Sequence, residues 1–430
     1  MPAGPRFDRL DDWLAWQQQL HPSAIELGLE RVGRVLARTG WRRPDVPVVT
    51  VGGTNGKGST VALLDALLRA AGHRVGTFTS PHLVDYRERI RMDGVKAGAT
   101  ALVAAFERIA DALGPDSLTY FEFNTLAALL LFERADLDAL VLEVGLGGRL
   151  DAVNVVDADV AIVASVGLDH MDYLGTDEES IGREKAGIFR GGRPAIYGAT
   201  DPPRSVRAEA ARIGAELFVR GERFDGRLRD HDDRWDFVID GATLQHALPR
   251  PALPGRVQVG NAATALLALT QVADRLPLDR AAIERGLQDV ALPGRFQCIS
   301  DARGFEWVLD VAHNPAAARA LADNLRDGPV PGRTLAVCGM LGDKDVAGVV
   351  ATLRPLVDAW YAATPEGPRA IEARELAGRA RDAGVEMRVG GDVASAMQVA
   401  AADARAGDRV VVFGSFHTVG PALVALGVPL

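Results

Sequence analysis

Short apolar runs alternate with helical patterns along most of this 430-residue chain. In the N-terminal part the runs predict strands at Val48–Val51, Arg74–Thr79, Ala139–Val144 and Val160–Ser165. Unbroken apolar runs are typical of parallel strands that helices cover on both faces. The alternation therefore predicts an α/β fold with a mostly parallel sheet flanked by helices, such as Ala101–Leu113 and Thr125–Arg134.

A Pro-Gly break at Ala291–Arg295 interrupts this pattern, which then restarts. Four more strands are predicted after it, at Val308–Val311, Leu335–Val337, Trp360–Ala363 and Arg409–Phe413. We therefore expect two domains, 1–290 and 298–430, with a hinge at 291–297 and a smaller, Rossmann-like α/β C-terminal domain. Between residues 217 and 250, aromatic residues that include Phe218 lie among Asp, Gly and Arg and predict short antiparallel strands.

Composition narrows the class of partner. The net charge of −9 and the pI near 5.5 argue against a nucleic-acid-binding surface. No apolar stretch is long enough to span a membrane, and residues 1–16 contain charges and lack the apolar core of a signal peptide. Cys298 and Cys338 lie in apolar, strand-like runs, so we expect buried free thiols and a cytoplasmic protein.

A glycine-rich loop follows the first of these strands. Residues 52–60 read Gly-Gly-Thr-Asn-Gly-Lys-Gly-Ser-Thr, and a helical pattern comes next. Such a loop directs backbone N–H groups to one point at a helix N-terminus, and Lys57 adds a positive charge. Ser59 or Thr60 could hold Mg²⁺, so the segment predicts a nucleotide triphosphate site. The spacing departs from the usual phosphate loop, being one residue short with Gly58 inserted after Lys57, and an ordinary Gly-rich turn is the alternative.

Two other predicted strands end in, or are followed by, residues that could bind a metal ion. Glu143 ends an apolar strand and is either a Mg²⁺-directed acid or a cap of the loop that follows. That loop, Gly145–Asp151, is richer in glycine and charge than a plain turn. His170 follows the next predicted strand, Val160–Ser165, and is either a metal ligand or a structural residue. Because carboxyl ends of parallel strands share one edge, both residues are expected near the glycine-rich loop.

For three further segments, the local pattern alone favours a structural role over a catalytic one. Glu184 and Lys185 are adjacent in a helical pattern, which favours a solvated charged face. His313 or Asn314 precedes Pro315 and could simply cap a helix. Ser415 and His417 lie on a bend without an evident third partner, so a Ser/His nucleophile is not expected.

Taken together, these motifs resemble those of the folylpolyglutamate synthase/dihydrofolate synthase family, a branch of the Mur-type ATP-dependent ligases. The resemblance covers nearly the whole chain and is closest to the bifunctional bacterial form. It rests on the segments Gly53–Ser59, Ser80–Leu83, Leu118–Glu122, Glu143–Arg149, Leu168–His170, Arg183–Phe189, Leu292–Phe296, Asp310–Pro315 and Gly414–His417. Gly52 and Ser59 replace the Ala and Thr expected in close relatives, and both exchanges keep the backbone or hydroxyl function.

The resemblance implies roles for individual residues. ATP would contact Thr54, Asn55, Gly56, Lys57, Gly58, Ser59, Asn261, Arg295 and Asp310. Ser80 and Glu143 would bind one Mg²⁺, and His170 and a carbamylated Lys185 would bind a second. The pteroate site would comprise Ile25, Glu26, Leu27, Thr119, Tyr120, Phe121, Glu122, Leu150, Asp151 and Ala152. Lys57, Lys185 and His170 would be the catalytic residues.

The implied activity is an ATP-dependent amide ligation through an acyl phosphate. L-Glutamate would be added to dihydropteroate and to the γ-carboxylate of reduced folates, with ATP and Mg²⁺ as cofactors. Two alternatives stay open, a folylpolyglutamate synthase without dihydropteroate activity and a non-ligase NTPase. The implied partners are small molecules, with no nucleic acid or membrane, and the implied state is a monomer.

Overall fold

The structure is a computed structural model that describes residues 5–230, 232–367 and 369–429. Its residues divide into two compact units. The first contains the described residues up to His82, together with Tyr86–Ala252 and Val259–Val290. The second contains Leu83–Asp85, Leu253–Gln258 and the residues from Ala291 onward.

Parallel strands form the centre of the large sheet in the first unit. Its strands are β1 Val48–Gly52, β2 Val75–Phe78, β3 Ile90–Met92, β4 Val95–Lys96, β5 Ala139–Glu143, β6 Val160–Val163, β7 Pro194–Tyr197 and β8 Glu216–Val219. The order across the sheet is β4-β3-β2-β5-β1-β6-β7-β8. The pairs β2–β3 and β3–β4 are antiparallel and the others are parallel, which confirms the predicted α/β class. All residues of β1 and β5 are buried, as expected of strands covered on both faces.

Helices connect and cover these strands. Up to residue 290 they are α1 Leu10–Leu20, α2 Glu30–Arg38, α3 Lys57–Ala70, α4 Ala99–Ala112, α5 Tyr120–Arg134, α6 Met171–Leu174, α7 Glu178–Ala186, α8 Arg204–Ile213, α9 Val257–Thr270 and α10 Arg280–Asp289. Helix α5 begins five residues earlier than predicted, because Thr119 and Glu122 form a capping box at its N-terminus. Every residue from Glu122 to Phe132 is buried, so this helix lies inside the core and its N-terminus is held rigidly.

An antiparallel sheet forms between α8 and α9, as predicted for residues 217–250. Its strands are β9 Phe224–Leu228, β10 Arg234–Ile239 and β11 Ala242–Pro249. The prediction was wrong for Phe218, which lies in β8 and pairs in parallel with β7 of the large sheet. The reason is that α8 separates the two strands, and a helical crossover makes a parallel pair where a tight hairpin makes an antiparallel one.

The second unit is a smaller α/β unit with its own sheet. Its strands are β12 Gln297–Ser300, β13 Glu306–Asp310, β14 Thr334–Cys338, β15 Ala359–Thr364, β16 Arg388–Asp392 and β17 Arg409–Phe413. They are ordered β12-β13-β17-β14-β15-β16, and only β12 among them runs antiparallel to its neighbour. The helices are α11 Pro315–Asp327, α12 Val346–Leu353, α13 Ala373–Asp382, α14 Val393–Asp403 and α15 Phe416–Ala425. This doubly wound arrangement is the Rossmann-like fold expected from the sequence.

The two cysteines differ in environment. Cys338 is buried in the central strand β14, as expected. Cys298 is exposed, so its predicted burial was wrong. It lies in the edge strand β12, where partly buried and exposed residues alternate, and its side chain falls on the exposed face. Both are free thiols.

Among the described residues, no helix combines the length and the apolarity needed to cross a lipid bilayer.

Candidate active site

The glycine-rich loop lies between β1 and α3. Gly53 has φ +139°, and a Cβ there would meet the backbone nitrogens of Ala164 and Ser165 at 3.0 Å. Gly56 has φ +87° and is the N-cap of α3, and no side chain of the described residues caps this helix. The backbone N–H groups at this helix N-terminus are therefore available to an anion, as a phosphate-binding loop requires.

Lys57 folds back over this loop. Its Nζ donates to the carbonyl oxygens of Gly53 at 3.0 Å and Thr54 at 3.3 Å. The ammonium group therefore lies directly above the loop, where phosphate oxygens would bind. Asn261 of α9 lies on the same loop, since its Oδ1 would be 3.2 Å from a Cβ at Gly56.

The end of β6 holds the loop in place. Thr54 N donates to Ser165 O at 2.8 Å, and Asn55 N donates to Ser165 Oγ at 3.0 Å. The Thr54 hydroxyl donates to Gly167 O and accepts from Gly167 N, both at 3.1 Å. These bonds join residues more than 100 positions apart and preorganise the loop before any ligand binds.

Glu143 lies next to the loop, as the shared edge predicted. Strand β5 pairs with β1 in a register that places Glu143 opposite Val51. Its Oε2 accepts a hydrogen bond from Ser80 N at 3.1 Å, so the two residues assigned to one metal are brought together. The Glu143 carboxylate is buried and ends a fully apolar strand, which is the position expected of a metal-directed acid.

His170 occupies an unusual backbone position beside an acidic neighbour. It is the N-cap of α6 and has φ +52°, in the left-handed region. Its Nε2 lies 3.9 Å from Asp169 Oδ1, which also accepts from His170 N at 2.9 Å. The Asp169 carboxylate thus holds the backbone at His170 and places a negative charge close to the imidazole.

Lys185 is buried in α7, so the solvated face favoured by its pattern was wrong for this residue. No carboxylate among the described residues forms an ion pair with it. Burial, with a contribution from the Lys57 charge, lowers the pKa of Lys185 to about 7, and Asp169 and Asp151 oppose this. A lysine with this pKa is about half neutral at pH 7, and the neutral amine is the form that reacts with CO₂ to give a carbamate.

The loop at Gly145–Asp151 packs on α7. Arg149 N donates to Glu184 O at 2.8 Å, and the Arg149 guanidinium pairs with the Glu184 carboxylate at 2.8 Å. Glu184 therefore anchors this loop. Asp151 accepts from the backbone N–H groups of Leu146 and Val153 at 2.8 and 3.0 Å. Burial raises the pKa of Asp151 to about 7 despite these bonds.

The three segments assigned to pteroate converge in the first unit. Gly28 N, directly after Leu27, donates to Leu150 O at 3.1 Å. In the capping box of α5, Thr119 N donates to Glu122 Oε2 at 2.8 Å, and Glu122 N donates to Thr119 Oγ1 at 3.3 Å. The first bond joins the segments near residues 26 and 151, and Arg31 joins Glu26 to Glu122, so the three segments meet in one region.

Arg31 of α2 joins two of these segments and was missed by the sequence interpretation. Its Nε and Nη2 donate to the two carboxylate oxygens of Glu122 at 3.1 and 2.7 Å. The same guanidinium contacts the Glu26 carboxylate and donates to Glu26 O at 2.6 Å. The Arg31 side chain is nearly buried, and such bidentate, charge-assisted bonds fix geometry. The bare sequence offered no signal, because the partners lie 5 and 91 positions away.

We expect Arg31→Met to disturb this region selectively. The change leaves the buried Glu122 without its cation and frees the loop at Glu26, so the KM for the pteridine substrate should rise about tenfold. The KM for ATP should stay the same, because the phosphate loop is held by β6. Steady-state kinetics with each substrate varied would measure both values.

Arg34→Met provides a matched control on the same helix. Arg34 is exposed and pairs with Asp116. Its loss should leave both KM values unchanged. An Arg31→Met enzyme with normal kinetics would contradict the positioning role.

Arg295 and Asp310 lie in the second unit. The half-buried Asp310 carboxyl accepts from Phe296 N at 2.9 Å and Ala312 N at 2.8 Å, which holds the segment after Gly294. Burial raises the pKa of Asp310, and the nearby Arg295 opposes this. Asn314 accepts from Ala317 N at 2.9 Å and caps α11, so the capping alternative holds for this residue. The contacts of Arg295 and Asp310 with ATP stay predictions.

The residues present fit a nucleotide and a hard divalent cation. The loop supplies N–H donors and a lysine, and Glu143 supplies a buried carboxylate beside it. No cluster of three or more His, Cys, Asp or Glu side chains suited to a metal occurs within 5–230, 232–367 and 369–429. A metal here would therefore draw further oxygen ligands from hydroxyls, phosphate or a carbamate.

Comparison with known proteins agrees with this geometry. A family model of the Mur ligase middle domain matches residues 51–269, and one of the Mur ligase glutamate ligase domain matches residues 294–416. The dihydrofolate synthase/folylpolyglutamate synthase of Escherichia coli K12 is 48% identical over 95% of this chain and 94% of its own length. The chain belongs to the dihydrofolate synthase/folylpolyglutamate synthase family of Mur ligases.

Solved structures of this family superpose closely on the chain. Escherichia coli FolC in complex with DHPP and ADP has a TM-score of 0.92 and 47% identity, covering 98% of this chain and 99% of that one. A bifunctional folylpolyglutamate synthase/dihydrofolate synthase with Mn, AMPPNP and L-glutamate bound has a TM-score of 0.90 and 46% identity, covering 99% and 100%. The family resemblance drawn from the motifs is therefore confirmed, as are a nucleotide and a divalent metal as the family's cofactors.

Proposed function

We propose that this protein is a bifunctional ATP-dependent ligase. It adds L-glutamate to dihydropteroate, forming dihydrofolate, and to the γ-carboxylate of reduced folates. The observation that carries the proposal is the convergence of the phosphate loop with the Ser80–Glu143 pair and buried Lys185 in the unit that also unites the three pteroate segments. Two close relatives bear both activities in their names.

The reaction proceeds in two balanced steps. A carboxylate oxygen of the pteroyl substrate attacks the γ-phosphorus of ATP, the O–P bond forms, and the bridging P–O bond to ADP breaks. The amino nitrogen of L-glutamate then attacks the acyl carbon, the C–N bond forms, and the C–O bond to phosphate breaks. The amine loses a proton, and the products are amide, ADP and phosphate.

Residues of the phosphate loop stabilise the first step. Backbone N–H groups from Gly56 onward and the Lys57 ammonium bind phosphate oxygens on which charge accumulates. Ser80 with Glu143, and His170 with carbamylated Lys185, would hold Mg²⁺, which would supply further neutralising charge there. Asp169 holds the backbone at His170 and keeps a negative charge close to its imidazole.

The remaining assignments complete the proposal. Asn261, Arg295 and Asp310 contact ATP, and residues 291–297 act as a hinge between domains 1–290 and 298–430. Domain closure then shields the acyl phosphate from water. We also propose a cytoplasmic monomer, and the two free thiols support a reducing compartment.

Substrate-dependent ADP release tests the function. The purified protein should release ADP only when L-glutamate is present together with dihydropteroate or a reduced folate, and mass spectrometry should detect the product lengthened by one glutamate. Glutamate-dependent activity with a reduced folate but not with dihydropteroate would limit the function to that of a folylpolyglutamate synthase. ATP hydrolysis that ignores glutamate would favour the non-ligase NTPase and overturn the proposal.

A further inference from the structure

Arg89 is a buried cation that has no carboxylate counter-ion among the described residues. It ends a short 3₁₀ helix at Tyr86–Arg89 and is only 8% exposed. Its Nε donates to His82 Nδ1 at 2.8 Å, and its guanidinium lies 5.5 Å from the centre of the Tyr120 ring. In the described part of the chain, no Asp or Glu forms an ion pair with it. A buried charge without a partner is costly, which indicates that a ligand supplies the anion.

The side chains around Arg89 offer more hydrogen-bond donors than hydrogen-bond acceptors. Tyr86 donates its hydroxyl to Asn124 Oδ1 at 2.5 Å, so this acceptor is occupied. The Asn124 Nδ2 is buried and has no acceptor within the described residues. An excess of buried donors around a guanidinium suits an acceptor-only ligand, and a carboxylate is such a group.

The position of Arg89 indicates which end of a substrate it meets. Thr79 N donates to Arg89 O at 2.8 Å, and the next residue, Ser80, donates its N–H to Glu143. On its other side lies Tyr120, the first residue of α5 and part of the pteroate segment. Arg89 therefore lies between the pteroate segment and the pair assigned to metal, where the reacting end of a pteroyl substrate would be.

We propose that Arg89 binds the α-carboxylate of the terminal glutamyl residue of a folate substrate. This assignment rests on the bifunctional ligation proposed above. Dihydropteroate ends in a single carboxylate, which is consumed when it is phosphorylated. A folate reacts through its γ-carboxylate and keeps an α-carboxylate that stays charged throughout, so it needs a permanent cation beside the reacting group. Arg89 would then recognise a group that distinguishes the two substrates.

The ratio of the two activities tests this assignment. In Arg89→Gln, the ratio of kcat/KM for the folate to kcat/KM for dihydropteroate should fall about tenfold or more, since a charge-assisted bond is lost with one substrate only. Arg89→Lys should recover part of the ratio. Arg108→Gln is the matched control, because Arg108 already pairs with Glu133 and with Thr39 O. This substitution should leave the ratio of the two kcat/KM values unchanged.

A folate analogue with an α-carboxamide provides a second measurement. The wild-type enzyme should bind it about tenfold more weakly than the parent folate, and Arg89→Lys should narrow this difference. An unchanged ratio in Arg89→Gln, an equal fall in both activities, or a raised KM for L-glutamate would overturn the assignment. If Arg89→Gln does not fold, the analogue with wild-type and Arg89→Lys enzymes decides. Absence of both activities in the wild type would instead overturn the proposed function itself.

Discussion

Replacing Lys185 by methionine is expected to abolish ligation while leaving the fold intact. If a carbamate on Lys185 holds a metal at the transferring phosphoryl group, its loss should reduce kcat/KM about 1000-fold. Methionine fills a similar volume and has no charge to bury, so the variant should be at least as stable as the wild type. ADP release and thermal unfolding, measured on the same preparation, would test both expectations.

The pH dependence of stability provides an independent check. The pKa of Lys185 is lowered to about 7 in the folded state from its ordinary 10.5. Between these values the unfolded chain binds a proton that the folded chain lacks, so this group makes the wild type more stable as pH rises. The stability advantage of Lys185→Met in CO₂-free buffer should therefore shrink between pH 7 and pH 10.5.

Chemical rescue separates a metal role from a packing role. Lys185→Ala leaves space beside the site, and a short aliphatic carboxylate should restore part of its activity by supplying the missing anionic oxygen. Full ligation by Lys185→Ala without an added carboxylate would exclude the carbamate as a ligand.

Replacing Glu143 by glutamine is expected to have the second largest effect. A glutamine Oε1 can still accept the bond from Ser80 N, so the end of β5 keeps its shape while losing one negative charge. The divalent cation should bind more weakly, and kcat/KM should fall about 100-fold or more, the scale expected for one preorganised electrostatic group. A titration with Mg²⁺ should show a higher half-saturating concentration.

Glu133→Gln is a suitable control for Glu143→Gln. Glu133 is partly exposed and pairs with Arg108, away from the phosphate loop. Its activity and Mg²⁺ requirement should match those of the wild type. An unchanged Mg²⁺ requirement in Glu143→Gln would contradict the metal assignment.

Local pattern was sufficient to predict much of the architecture. The apolar runs at β1, β5 and β17 identified strands because buried parallel strands carry a continuous signal. The glycines before Lys57 predicted the phosphate loop because its backbone conformation needs them. Phe218 was misassigned because an apolar strand has the same local pattern whether a hairpin or a helical crossover precedes it.

Among the proposed catalytic groups, some positions could likewise be predicted from local pattern and others could not. Glu143 could be expected near the loop, because strand ends share an edge. Lys185 could not be told from a surface lysine by its pattern, since charged residues directly precede it in its helix. Its role entered only through the family resemblance, and its burial became visible only from the packing of α7 against α8 and the loop at Gly145–Asp151.

By itself, the sequence determined the α/β class, the phosphate loop and the family, because these depend on residues that are close together in the chain or on motifs in a set order. The tertiary structure alone decided which charges lose their water and which find partners. Arg31 is satisfied by Glu122, 91 positions away, whereas Arg89 is buried without a carboxylate among the described residues. Desolvation and ion pairing depend on the packing of distant segments, and no local pattern encodes that packing.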